Sequence, residues 1–301
     1  MSSVSLVYLA FMHPLIKGFL NHPVAQRCPF SAVFEILKWQ ILGSSHELRT
    51  IQYGVSSQLA VKKGMAGATG NVYYGLHEFD EMVFLMKAAP PECTFVDVGA
   101  NIGSYTILLA KECGVSVICF EPNRATFEHL ERNVLLNNIE SRCELHCKGV
   151  GATSGVIGFT EGLDTVNHVA RDGEDHVLTP VVALDELQWD KGPLVIKVDV
   201  EGFESFVVDG AKELLKSGQV EILLIELNGG ASNYGLNELD LFERIQGFGF
   251  LPFWYDAKRS RLSSLSEPTA TNTLFIHSIH LDEVTLRLQN APKIVIRGTE
   301  W

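Results

Sequence analysis

The segment Phe95-Val96-Asp97-Val98-Gly99-Ala100-Asn101-Ile102-Gly103-Ser104-Tyr105 constrains the fold more than any other part of the chain. An apolar strand ends at Val98, glycines free the backbone at 99 and 103, and a helix starts near Ser104. Such a turn joins strand to helix in an α/β unit, and it brings bare backbone and helix N–H groups against a ligand. The spacing is not that of a dinucleotide site, because G-x-G-x-x-G needs glycine where Asn101 stands. Asp97, two residues before the first glycine, suits a cationic or amino-bearing ligand better than a pyrophosphate.

A second strand, Val117-Ile118-Cys119-Phe120, ends in Glu121-Pro122 about 22 residues after Gly99. A carboxylate at that place accepts hydrogen bonds from both hydroxyls of a ribose. Together the two features predict a nucleoside ligand without a diphosphate. S-adenosylmethionine meets that description.

The remainder repeats the strand-then-helix order. Apolar runs at Thr94–Val98, Ser116–Phe120, Glu144–Val150, Leu194–Val198, Glu221–Leu227, Phe250–Tyr255 and Thr273–His277 read as strands. Helical patterns at Ser104–Cys113, Ala125–Asn138, Glu204–Leu215 and Asn237–Gly247 separate several of them. This alternation predicts an α/β fold with a mainly parallel sheet covered by helices on both faces, the last two strands pairing antiparallel at an edge.

Turn formers cluster between about residues 66 and 76 (AGATGNVYYG), which divides the chain into an N-terminal accessory segment, 1–75, and a main domain, 76–301. Within the former, residues 31–42 read as a helix opened by Ser31, followed by short strands around Ile51–Tyr53 and Leu59–Val61. The first twenty residues are apolar, but His13-Pro14 and Lys17-Gly18 interrupt them. The unbroken stretch falls well short of the roughly 20 residues that cross a bilayer. They are expected to pack on the body of the protein or to form a homodimer contact, with peripheral contact to a membrane surface as the alternative and no transmembrane segment. Six cysteines lacking any C-x-x-C pair predict reduced thiols in a cytoplasmic protein and no zinc. The net charge of −12 argues against a general polyanion binder, so nucleic acid is not an expected partner.

Several motifs in order now resemble the FkbM family of S-adenosylmethionine-dependent methyltransferases. They run from about Gly75 to Arg261: GLHEFDEM (75–82), FVDVGANIGSYTILLA (95–110), FEPNRATFEHLERN (120–133), VGATSGVIGF (150–159), VVALDEL (181–187) and IKVDVEGFESFVVDGAKELL (196–215). LLIELNG (223–229) and GFGFLPFWYD (247–256) follow in that run, and NTLFI (272–276) lies beyond it. The resemblance implies a Rossmann-like class I methyltransferase, doubly wound, with a seven-stranded, mostly parallel sheet, an antiparallel edge strand and an N-terminal accessory segment. It implies O-methylation of a hydroxyl on a sugar or other small-molecule, secondary-metabolite acceptor. Carried onto this chain, Asp97, Gly99 and Gly103 would line the methionine moiety with Asn101 close by. Glu121, beside Pro122, would hold the ribose, and Lys148–Ala152 would lie near the adenine. Tyr74, His77 and Glu78 match family positions, with Glu78 either near the cofactor's amino-acid end or capping a helix.

The polar residues of the fourth strand carry the chemistry. Lys197, Asp199 and Glu201 alternate with apolar residues and would share one face if the strand continued through Glu201. Charges buried in a strand are costly unless they pair or act, so the choice lies between an ion-pair network and a reaction site. Methyl transfer from a sulfonium needs aligned reactants and removal of a hydroxyl proton. Asp199 is the first choice for base or metal ligand, Glu201 the second, and Lys197 supplies orienting charge. His168, in the loop DTVNHVARDGEDHV, is another candidate base. Glu226 and Asn228 end the fifth strand and would touch substrate or complete a divalent metal site with Asp199, although no spacing requires a metal. Phe250, Phe253, Trp254 and Tyr255 read as core. The alternative to an active enzyme is a catalytically idle, cofactor-binding partner subunit. The acceptor itself is unreadable, since its pocket would be lined by the N-terminal segment and by loops 160–178 and 229–236.

Overall fold

The computed structural model describes residues 22–44, 46–160, 168–171 and 173–301. The apolar run over residues 1–20 and residues 164–167 of the His168 loop lie outside these. Two helices open the described chain, α1 (Pro23–Arg27) and α2 (Pro29–Leu42), each with proline in its first turn, where a missing N–H costs nothing. Pro29 therefore starts α2 two residues before Ser31, the expected opening. A hairpin follows, β1 (Arg49–Gln52) with β2 (Gln58–Val61). The turn-former cluster then folds as a helix, α3 (Ala66–Tyr74), because Ala68, Val72, Tyr73 and Tyr74 are buried and packing overrides composition. Helix α4 (Phe79–Ala88) is buried along most of its length.

The main domain continues with β3 (Thr94–Val98), α5 (Ser104–Leu108) prolonged by a π turn over Leu109–Cys113, β4 (Ser116–Phe120), α6 (Arg124–Asn137) and β5 (Cys143–His146). Next come β6 (Gly149–Val150), β7 (Gly155–Phe159), β8 (Val177–Val182) and β9 (Leu194–Val198). Helices α7 (Glu204–Asp209) and α8 (Lys212–Lys216) lead to β10 (Val220–Glu226), α9 (Glu238–Gly247), β11 (Phe250–Asp256), β12 (Arg261–Ser264), β13 (Asn272–His277) and α10 (Leu281–Asn290).

The main sheet has eight strands in the order β12-β11-β13-β10-β9-β3-β4-β5. Neighbours from β10 to β5 are parallel, whereas β13 runs antiparallel to both β10 and β11. The seven strands expected from sequence are present in a doubly wound, Rossmann-like arrangement. Two details differ. Strand β13 is inserted inside the sheet, and the antiparallel edge is β12, formed by a segment that reads as a connection. The run Glu144–Val150 splits into β5 and β6, the latter joining β8 and β7 in a small second sheet. The stretch Glu204–Leu215 breaks at Gly210, where a Cβ would lie 2.0 Å from the Gly151 carbonyl oxygen.

Winding proceeds from β3 through β4 to β5 on one side and through β9 to β10 on the other. A crevice opens at this reversal, outside the carboxyl ends of β3 and β9. Register pairs Val98 with both Phe120 and Val198, so Gly99, Glu121 and Asp199 leave the sheet side by side. Apolar clusters cover both sheet faces. Val195 of β9 joins one with Trp39, Leu59 and Ile107, and Ile196 joins the other with Val207 and Leu241, as a period of two dictates.

Candidate active site

Gly99, Asn101 and Gly103 have φ of 81°, 51° and 92°, the left-handed region that folds the chain back on itself. At Gly99 no side chain fits, because a Cβ would lie 1.8 Å from the Asp199 carbonyl oxygen. The backbone donors of the turn are all engaged internally. Gly99 and Ala100 donate to Phe120 O, Asn101 to Glu121 Oε2, Ile102 to Asn101 Oδ1 and Gly103 to Ala100 O. The turn therefore does not aim its N–H groups at a ligand, as its glycines suggest. Acceptors line the pocket in their place, which removes the usual cradle for a diphosphate.

Asp97 is 1% exposed. Its Oδ2 accepts from Thr106 N and Oγ1 at 3.1 and 2.7 Å, while its buried Oδ1 has no partner among the described residues. Burial pushes its carboxyl up, against the pull of Lys197. Glu121 accepts from Asn123 N and Asn101 N, both at 2.9 Å, and burial raises it to about 7. Glu78 stands at the N-cap of α4 without capping it. Its oxygens accept from Tyr105 Oη at 2.7 Å and Asn272 Nδ2 at 2.6 Å.

These carboxyls line a cavity of about 400 Å³, together with Gly99, Asn101 and Pro122 and with Lys148, Gly149 and Val150 from the approach to the second sheet. Gly103 is not in its wall and serves the turn. Asp199, Glu201 and Glu226 add further acid, against Lys148 and Lys197. The donor set fits S-adenosylmethionine: an orphaned carboxylate oxygen for an ammonium, Glu121 for hydroxyls, and an acidic wall for a sulfonium.

Opposite pH responses follow for stability and binding. Glu121 and Glu201 are raised from 4.5 to about 7 in the folded chain. Between these values the unfolded chain binds fewer protons than the folded one, so stability without cofactor is expected to fall as pH rises from 4.5 to 7. Affinity for the cationic cofactor is expected to climb over the same range, by up to about tenfold per pH unit for each carboxyl that ionises on binding. Thermal unfolding and calorimetric titration across pH check both, and parallel rather than opposed trends would contradict the assignment.

Lys197, 3% exposed at the end of β9, donates from Nζ to Asp199 Oδ2 at 2.8 Å and sits 4.9 Å from the Tyr105 ring centroid. Burial disfavours the ammonium, but Asp199, Asp97 and Glu78 outweigh it and hold Lys197 above its ordinary range. The strand does not continue through Glu201. That residue takes φ 56° before Gly202 at 98°, and the turn brings oxygens of Asp199, Glu201 and Glu226 within 4.8 Å of one another. Burial and the neighbouring carboxylates raise Glu201 to about 7 and push Glu226 up further, and Glu226 Oε2 is buried without a partner among the described residues.

Glu204 holds this turn, accepting at Oε1 from Val200 N at 3.0 Å and Gly202 N at 3.1 Å. Sequence reasoning gave it no role, although an acid in the first turn of a helix is a readable acceptor for free backbone donors. Glu204→Ala leaves both donors unpaired and is expected to cost about 2 to 4 kcal/mol, measurable by urea unfolding.

The other candidates fall out plainly. His168 contacts Glu174 Oε2 at 3.0 Å and is not itself in the cavity wall, although its neighbour Val169 is. Asn228 is exposed, accepts from Gly230 N and is not among the residues lining the cavity. Tyr74 stacks on His22, whereas His77 lines the cavity. Phe250 and Tyr255 are buried, Phe253 is half-buried and Trp254 is exposed. Phe203, which sequence reasoning missed, lines the cavity and stacks on Phe206 with centroids 4.2 Å apart, Tyr234 standing edge-on.

The family described as "Methyltransferase FkbM domain" matches residues 97–250. The hexuronic acid methyltransferase AglP of Haloferax volcanii is 28% identical over 167 residues, covering 54% of this chain and 67% of that protein. Methyltransferase 1 of Beauveria bassiana is 27% identical over 148 residues, covering 40% of this chain and 59% of that protein. Among solved structures, the tRNA (uracil-54, C5)-methyltransferase of Pyrococcus abyssi in complex with S-adenosyl-L-homocysteine aligns with a TM-score of 0.41 at 15% identity, covering 76% of this chain and 44% of that one.

Proposed function

The chain belongs to the FkbM methyltransferase family, and from that premise we propose that it methylates a hydroxyl of a sugar or another small molecule. It is an S-adenosylmethionine-dependent methyltransferase, and the acceptor is the open term. The observation that carries the reading is the Lys197–Asp199 pair, with Glu201 and Glu226 beside it, in the wall of the cavity that the glycine turn and Glu121 also line.

When bound, the cofactor supplies an electrophilic methyl group on a sulfonium. The residues of this chain do the rest. In this reading Asp97 and Glu78 receive the amino-acid end, Glu121 the ribose, and the Lys148–Val150 segment the base. Lys197 fixes one oxygen of Asp199, leaving the other to accept the acceptor hydroxyl and take its proton as the new oxygen–carbon bond forms. Glu226, protonated at neutral pH, offers a donor to a neighbouring hydroxyl. Phe203 gives an apolar surface on which a sugar ring can lie. Residues 1–75 serve the transferase domain, 76–301, as an accessory segment.

The relative from Haloferax, a hexuronic acid methyltransferase, supports a sugar acceptor. The test is transfer of a labelled methyl group to a panel of hexoses, hexuronic acids, non-sugar alcohols, amines and acceptors with a nucleophilic carbon. Label in a sugar ether supports the reading. Transfer to nitrogen or carbon acceptors alone would contradict it.

A further inference from the structure

Helix α2 has two apolar faces, and the fold packs one of them. Ala32 and Trp39 are buried, while on the opposite side Phe30, Phe34, Leu37 and Ile41 are 91%, 62%, 55% and 78% exposed. Their spacing of four, three and four residues aligns them in one stripe, which Val33 and Leu42 widen. A contiguous exposed stripe of this size marks an interaction surface rather than chance exposure. We propose that this face of α2 docks in the plane of a lipid surface carrying anionic headgroups.

Charge favours that occupant over a second copy of the chain. Residues 1–75 hold six cations, Lys17, Arg27, Lys38, Arg49, Lys62 and Lys63, against Glu35 and Glu47. Their net charge of +4 leaves −16 on the remainder of a chain at −12 overall. Lys38, at the flank of the stripe, pairs with Glu35 of the same helix at 3.6 Å, and Lys63 donates to Gln40 O near the C-terminal end of α2. An apolar face on a segment of net positive charge, in an otherwise acidic protein, fits an anionic bilayer, with which each basic residue contributes about 1 kcal/mol near the surface. At 14 residues α2 is about 21 Å long, too short to span the hydrocarbon core and long enough to lie along it. No helix among the described residues is long and apolar enough to cross a membrane.

The test is co-sedimentation of the full chain with vesicles of phosphatidylcholine alone or with phosphatidylglycerol added. Binding is expected to the anionic vesicles, to fall with salt, and to drop about tenfold or more in Phe34→Glu/Ile41→Glu. That variant should keep its thermal unfolding and its titration with S-adenosylmethionine. Lys38→Glu, which leaves the stripe intact, should lose preference for the anionic vesicles. Absent binding, or binding indifferent to these substitutions, overturns the proposal. So does a dimer in lipid-free buffer that Phe34→Glu/Ile41→Glu dissociates, which would assign the face to a second copy. Vesicle binding that appears only after removal of residues 1–21 would assign it to the chain's own N-terminus.

Discussion

Asp199→Asn is expected to lower turnover by about a hundred- to ten-thousandfold while leaving the affinity for S-adenosylmethionine within a few-fold of the parent. Asparagine keeps the volume of the side chain and an oxygen to accept from Lys197 Nζ, and Asp97 and Glu78 still bear on that ammonium. The fold therefore persists, and what disappears is the group that takes the hydroxyl proton. A purely structural Lys197–Asp199 pair would give another pattern, with stability and cofactor affinity falling together and turnover following them. Single-turnover transfer of labelled methyl, measured beside calorimetric titration and thermal unfolding, separates the two. Turnover surviving in Asp199→Asn would move the base to Glu201.

Gly99→Ala is expected to abolish cofactor binding and to cost about 3 kcal/mol or more of stability. Two terms add: a left-handed φ of 81°, unfavourable for an L side chain by about 1 to 2 kcal/mol, and an overlap that typically costs about 1 to 3 kcal/mol. The overlap involves backbone, since the new Cβ would meet the Asp199 carbonyl 1.8 Å away. Asp199 N donates to Val98 O at 3.0 Å, so relief requires the ends of β3 and β9 to part. That movement displaces Asp97, the Asn101–Glu121 bond and the Lys197–Asp199 pair together. Gly114→Ala is the control. Its φ is 74°, but nothing lies within 4 Å of the added carbon, so it should cost only the conformational term and spare binding. Urea unfolding and calorimetry of both variants check this, and equal costs would contradict the role given to the overlap.

What sequence could reveal depended on how local its cause was. Strands β3, β4, β9 and β10 were legible because apolar runs of fixed length need both faces covered. Gly99 and Glu121 were legible because a turn and a strand end set their positions within a few residues. The doubly wound, mostly parallel character of the sheet was implied by the family resemblance, whereas the order of its strands, with β13 between β10 and β11, came from the structure. The split of residues 144–150 depends on β8, a pairing partner distant in sequence, while β12 pairs with its neighbour β11 in a hairpin but carries no apolar run (RLSS) to announce it. Helix α3 is made by burial of Ala68, Val72 and Tyr73 against the rest of the fold, in spite of its glycines. In the site, Lys197 and Asp199 stood out as charges in an apolar strand. Glu204 did not, because its function is to hold two backbone N–H groups of a turn that exists only once Glu201 and Gly202 adopt positive φ. The use of the turn's own donors by Phe120 O, Glu121 and Asn101 likewise follows from strand register rather than from residue type.

The central claim is that the cavity between the glycine turn and Glu121 holds S-adenosylmethionine. Calorimetric titration of the cofactor into the parent chain and into Glu121→Ala tests it most directly. Saturable binding at one site, weakened about tenfold or more in the variant, is the result predicted for loss of a charged hydrogen-bond acceptor. Binding of equal strength in both proteins, or no binding to a folded parent chain, would contradict it.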